Sequence, residues 1–132
     1  MERLVDLIPH RAPWLLVDRV VARSGDAVEA ERRVAADDPL LTDGELPEVL
    51  VLEALAQTAA CLNAGALGAH RGMLVAASRV EFGERAKAGD VVTLIARKIA
   101  TLGTLVRFDA QARVGTRVIA RGEMTFAVTA AP

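Results

Sequence analysis

Residues Leu46 to Gly68 read LPEVLVLEALAQTAACLNAGALG, and this run limits the possible folds more than any other. Wound as a helix, Val49, Leu50, Val51, Leu52, Ala54, Leu55, Ala56, Ala59, Ala60, Cys61 and Leu62 cover nearly every side of it, so it must be buried. Pro47 suits a first helical turn, where its missing N–H costs nothing, and Gly65 and Gly68 are stop signals at the far end. A helix of about 18 residues, roughly 27 Å long, follows. One charge interrupts it, Glu53. A carboxylate in such surroundings is costly unless it is paired or hydrogen-bonded, which makes Glu53 the residue to explain.

The flanking segments supply something to wrap that helix. Residues Arg3 to Ile8 suggest a short helix ending before Pro9, and Pro9 and Pro13 bracket a loop that holds His10. Trp14 to Ala22 reads as a strand that turns at Ser24-Gly25-Asp26 into a returning strand, Ala27 to Val34. Ala35 to Glu45 has the composition of an irregular connection. After the helix, Met73 to Phe82 reads as a strand and Gly83 to Asp90 as a joint. Val91 to Thr101, Leu105 to Arg113 and Arg117 to Val128 then form an antiparallel meander. The expected architecture is one α+β domain over residues 1–132, a curved antiparallel sheet around a single central helix. One sheet face covers the helix; the other needs solvent or a second copy, and 52% hydrophobic residues favours a dimer.

Composition removes several functions. With 16 basic against 17 acidic residues and 3% aromatics, the chain carries neither the charge nor the stacking platforms of a nucleic-acid binder. A single cysteine and the absence of a signal-peptide pattern at the amino terminus suggest a cytoplasmic protein. No run of about 18 uninterrupted apolar residues is present, so no membrane span is expected. Neither His10 nor His70 has a neighbour at metal-ligand spacing, and no phosphate loop is present, so no metal or cofactor is expected.

Glu53 and Gln57 lie four apart and share a helix face, where a carboxyl beside a carboxamide suits general acid or base work. The plainer roles are a structural ion pair for Glu53 and satisfaction of a neighbour for Gln57. His10 could be aimed by its two prolines or serve as a structural hydrogen-bonding residue. His70 reads as a solvated loop residue, and Cys61 as a small core side chain. Asp18 and Arg19 are expected on opposite strand faces, as surface or interface charges.

These residues fit a family. Pro9-His10-Arg11-Ala12-Pro13-Trp14-Leu15-Leu16-Val17-Asp18-Arg19-Val20 resembles the opening of the 3-hydroxyacyl-acyl-carrier-protein dehydratases of bacterial fatty acid synthesis, which have the hot-dog fold. Leu46 to Gln57 resembles their helix motif, Met-Pro-Gly-Val-Leu-x-x-Glu-Ala-Leu-Ala-Gln. Arg79-Val80-Glu81-Phe82 and Ala88-Gly89-Asp90 are similar to the later Lys-Val-Lys-Phe and Pro-Gly-Asp signals. The resemblance implies that Glu53 is catalytic and that Glu48, Gln57, His10 and Ala76 contact the substrate. The backbone amide of Glu48 replaces the motif glycine's, which polarises the thioester carbonyl. A tunnel along the helix past Ala60 and Ala64 would take the acyl chain.

One departure stands beside the match. These dehydratases place a histidine in a His-Phe-Pro-Gly loop fourteen residues before the helix Glu and use the two side chains from opposite subunits of a dimer. Fourteen residues before Glu53 stands Pro39, and residues 39–47 contain no His. The Asp-Gly-x-Leu-Pro sequence resembles a divergent branch associated with aryl polyene synthesis, which lacks that loop and acts beside a second dehydratase-like subunit. The resemblance therefore implies a dehydratase acting on 3-hydroxyacyl thioesters of acyl carrier protein, in fatty acid, polyketide or aryl polyene synthesis. The alternatives are a non-catalytic partner or acyl-binding subunit, and an acyl thioesterase. The assembly is expected to be a homodimer, a heterodimer with a second hot-dog subunit, or a hexamer.

Overall fold

The computed structural model describes Ile8, residues 14–67 and residues 70–130. Among these described residues, six strands and one helix follow in the order β1 (Arg19–Ser24), β2 (Ala27–Arg33), α1 (Glu48–Leu67), β3 (His70–Phe82), β4 (Val91–Leu102), β5 (Leu105–Val114) and β6 (Arg117–Ala130). The strands form one sheet in the order β1-β2-β4-β5-β6-β3, antiparallel throughout. This curved sheet around one helix is the hot-dog fold.

Alternation decides which face meets the helix. Val28 and Ala30, Val92, Leu94 and Ala96, Phe108 and Ala110, and Met124 and Phe126 are buried against α1. The alanines among them let the backbones of helix and sheet approach closely, and Ala54, Leu55, Thr58 and Ala59 fill the space from the helix side. Burying Leu55 fully contributes about 2 kcal/mol. Phe108 and Phe126 meet edge to face with centroids 5.6 Å apart. Thr58 enters this apolar layer at no polar cost, because its hydroxyl donates to the Ala54 carbonyl at 2.8 Å.

The opposite face is built differently. Glu29, Glu31, Arg97, Arg107, Asp109, Arg121 and Glu123 alternate with the buried residues, and the pairs Arg19–Glu31, Arg121–Glu81 and Arg79–Glu123 cross it. Such a face is suited to water. Exposed apolar side chains collect elsewhere, on the outermost strand β3 (Met73, 66% exposed, and Val75) and at the β4–β5 turn (Leu102).

Three expectations about boundaries need correction, and a fourth falls outside the described residues. Trp14 to Asp18 is not strand. Its hydrogen bonds go to the helix, and the ladder with β2 starts only where Asp18 donates to Glu31. Asp18 thus sits at the strand's edge, where its carboxylate accepts from the Arg33 amide, while Arg19 pairs with Glu31. The helix runs through Gly65 to Leu67, since one interior glycine costs only about 1 kcal/mol. His70 opens β3 instead of lying in a loop, because β6 extends to Ala130 and offers it a partner. The short helix expected before Pro9 lies outside the described residues, apart from Ile8, which is buried.

Candidate active site at the first turns of the central helix

Pro47 begins the helix, its carbonyl accepting from Leu50 at 3.0 Å and Val51 at 3.3 Å. Two turns in, Val49, Leu50, Leu52 and Glu53 line a cavity of about 420 Å³ whose other walls are Trp14 and Leu16 in front and Leu74 of β3 beside them. The volume lies within the range of small-molecule sites. Among the described residues, every lining side chain is apolar except Glu53. Glu53 is half-buried, not enclosed as composition alone suggested, because this helix face borders the cavity instead of the sheet.

Gln57 stands one turn behind Glu53 and is 1% exposed. Its Oε1 accepts from the Leu16 amide at 2.8 Å, and its Nε2 donates to the Trp14 carbonyl at 2.8 Å and toward Glu53 Oε1 at 3.5 Å. Glu48 has its side chain turned away from the cavity and paired with Arg85 at 3.1 Å, which leaves only its backbone at the helix start to face a substrate.

Ala76 departs from its expected place. Leu74 pairs with Phe126 and Ala76 with Thr125, so a one-residue bulge at Val75 turns Ala76 to the outer sheet face while Leu74 faces the cavity. His10 lies outside the described residues, as does the side chain of Ala64. Ala60 is half-buried but does not line the cavity, which occupies the first turns of α1 only. Trp14, Leu16 and Leu74 were not anticipated as pocket residues; the only signal was that Trp14 is the single tryptophan of the chain.

The connection before the helix, which has no histidine between Pro39 and Pro47, is held by its own hydrogen bonds. Thr42 and Glu45 exchange backbone hydrogen bonds of 2.9 and 3.1 Å around Asp43-Gly44, both with positive φ (52° and 78°). This is a tight two-residue turn, and glycine is the residue that adopts the second angle without strain. Asp38 holds the stretch before it: its carboxylate pairs with buried Arg32 and accepts from the Leu40 amide at 2.9 Å. Leu46 and Ala88 then tie the turn to the β3–β4 joint through Ala86 and Gly44. Pro39 therefore lies in a pinned stretch, and its own side chain has nothing to give to proton transfer.

Cys61 is buried deeper along α1, and desolvation pushes its thiol up to about 12, with Arg23 opposing weakly. It is a core residue. Among the described residues, no group of three or more His, Cys, Asp or Glu is placed to hold a metal ion, and no helix is long and apolar enough to cross a membrane.

A hot-dog fold with one carboxyl at an apolar cavity beside the helix start defines the class, and comparison with known proteins narrows it. The chain belongs to the ApeP-like family, described as ApeP dehydratase, whose model matches residues 2–130. It is 34% identical over 139 aligned residues to the 3-hydroxyacyl-[acyl-carrier-protein] dehydratase FabZ of Streptococcus equi subsp. zooepidemicus, covering 96% of each chain. Among solved structures it is similar to a chain of the dehydratase heterocomplex ApeI:P from Xenorhabdus doucetiae, with a TM-score of 0.86 at 20% identity over 96% of this chain and 91% of that one. A hypothetical thioesterase from Streptococcus pneumoniae, solved with coenzyme A, shares the fold with a TM-score of 0.73 at 15% identity over 86% of each chain.

Proposed function

We propose that this protein dehydrates 3-hydroxyacyl thioesters carried by acyl carrier protein, with Glu53 performing one of the two proton transfers. Dehydration removes a proton from C2 and protonates the hydroxyl leaving C3. The single observation that carries this reading is the place of Glu53, the one ionisable group among the described residues that line an otherwise apolar cavity. The acyl chain lies against Leu50, Leu52 and Leu74, and the thioester carbonyl is directed to the amides that open α1, among them that of Glu48. Gln57 is held behind Glu53 and acts through it.

The second proton-transfer group comes from a partner subunit that lies along β3. Three features support this. The stretch from Pro39 to Pro47 holds no histidine. The cavity borders β3, an edge strand of thirteen residues with exposed Met73 and Val75. The dehydratase neighbour is a heterocomplex. A second hot-dog subunit bearing a loop histidine is the partner these features favour over a second copy of this chain.

The test is a dehydration assay on a 3-hydroxyacyl-acyl-carrier-protein, run with the protein alone and after mixing with such a subunit. Formation of the enoyl thioester only in the mixture is expected. Equal activity without the partner contradicts the divided site, and release of a free thiol in place of an enoyl product points to a thioesterase.

A further inference from the structure

We propose that Gln57 is a positioning residue that holds the Trp14–Leu16 wall of the cavity and the Glu53 carboxylate in one frame. This rests on the reading of the cavity as the acyl site. The hydrogen bonds leave no ambiguity about how the carboxamide is turned. The Leu16 amide only donates, so it faces Oε1; the Trp14 carbonyl only accepts, so it faces Nε2. One N–H of Nε2 is thereby committed to Trp14, and the other is directed at Glu53 Oε1, 3.5 Å away.

Two consequences follow from this arrangement. Gln57 has both donors engaged and is 1% exposed, so it touches no substrate and acts only through its neighbours. Residues 14–18 belong to neither helix nor strand, so the side chain of Gln57 does for them what a sheet ladder does for β1. Placement of the wall that receives the acyl chain and of the acid that works on its thioester end therefore depends on one residue. Misplacement of a reacting group by about 1 Å costs on the order of a hundredfold in rate.

Gln57→Met, close in size but without donors, is the informative variant, and Trp14 is a built-in probe because the chain has one Trp and no Tyr. In the unmodified protein, the Leu16 amide is expected to exchange with solvent as slowly as the ladder amides of β2. Exchange at the rate of an unstructured amide overturns the proposal without any variant having to fold. In Gln57→Met, Trp14 fluorescence anisotropy is expected to fall and the dissociation constant for 3-hydroxydecanoyl-N-acetylcysteamine, read from Trp14 emission, to rise about tenfold, the equivalent of one lost hydrogen bond. In the active assembly, kcat per folded molecule is expected to fall at least about tenfold. An unchanged kcat per folded molecule assigns Gln57 to stability alone and overturns the positioning role. If the unmodified protein shows no saturable Trp14 response to the probe while Leu16 remains protected, it is the acyl-site reading that fails, and the tie between wall and helix stands.

Discussion

The two edges of the sheet are opposites. β1 is six residues long, is kinked by a bulge between Val20 and Ala22, and carries Arg19 and Arg23. Arg23 turns its guanidinium onto the carbonyl of Cys61 at 2.8 Å, closing the sheet over the later turns of α1. β3 is thirteen residues long, with Met73, Val75, Ala76 and Ala77 exposed, and it borders the cavity. A short, charged, bulged strand resists pairing, whereas a long apolar one invites it. The difference teaches that only one edge is closed off against pairing, and on the function proposed above the open edge beside the cavity is where a partner completes the site.

The sharpest way to break this comparison is to place the same charge on each edge. Val75→Lys on β3 is expected to weaken subunit association by about 3 kcal/mol, over a hundredfold, by putting an unpaired charge in the contact. Val21→Lys on β1 is expected to leave association unchanged. Light scattering across a dilution series reads both, and equal effects of the two variants remove the distinction.

The closed edge makes a prediction about pH. The Cys61 thiol, raised from an ordinary 9.0 to about 12 by burial, stays protonated in the fold at a pH where the unfolded chain has lost that proton. Its contribution is complete below pH 9 and is lost as pH rises toward 12, at about 1.4 kcal/mol per unit. Urea unfolding at pH 8 and pH 10.5 checks the sign, and Cys61→Ala is expected to flatten the slope. With no Tyr and only two Lys in the chain, that slope is readable. Solvent exposure of Cys61 in the native state contradicts it. The smallest effect belongs to Arg23→Met, which removes the cap on the Cys61 carbonyl and is expected to lower stability by about 1 kcal/mol while leaving turnover unchanged. A drop in turnover per folded molecule in that variant shows that the closed edge also reaches the site.

The elements of this fold were largely readable in advance because periodicity is local. The all-round apolar run around Leu55 required a buried helix, the alternation in β2 and β4 to β6 required strands, and the spacing of Glu53 and Gln57 put them on one face. The absence of a histidine from residues 39–47 was equally plain. What escaped notice was decided at a distance. Trp14 to Val17 has the composition of a strand and is not one, because Gln57, 41 residues beyond Leu16, claims its hydrogen bonds. Ala76 and Leu74 have the spacing of one face, yet the bulge at Val75 separates them. The contrast between the edges was hidden as well, since β3 closes the sheet by pairing with β6, the last strand in sequence. The half-burial of Glu53 follows from that same order, because it leaves one helix face looking at a cavity instead of a strand.

The most direct measurement is the dehydration rate of Glu53→Gln in the assembled complex, beside the unmodified protein. The substitution keeps the size of the side chain and its place next to Gln57 but removes proton transfer. A loss of about 10² to 10⁴ in rate, 3 to 5 kcal/mol of barrier, with folding and subunit association intact, is expected. Turnover within a few-fold of the unmodified protein contradicts the assignment of this carboxyl to the chemistry and leaves the cavity as a binding site only.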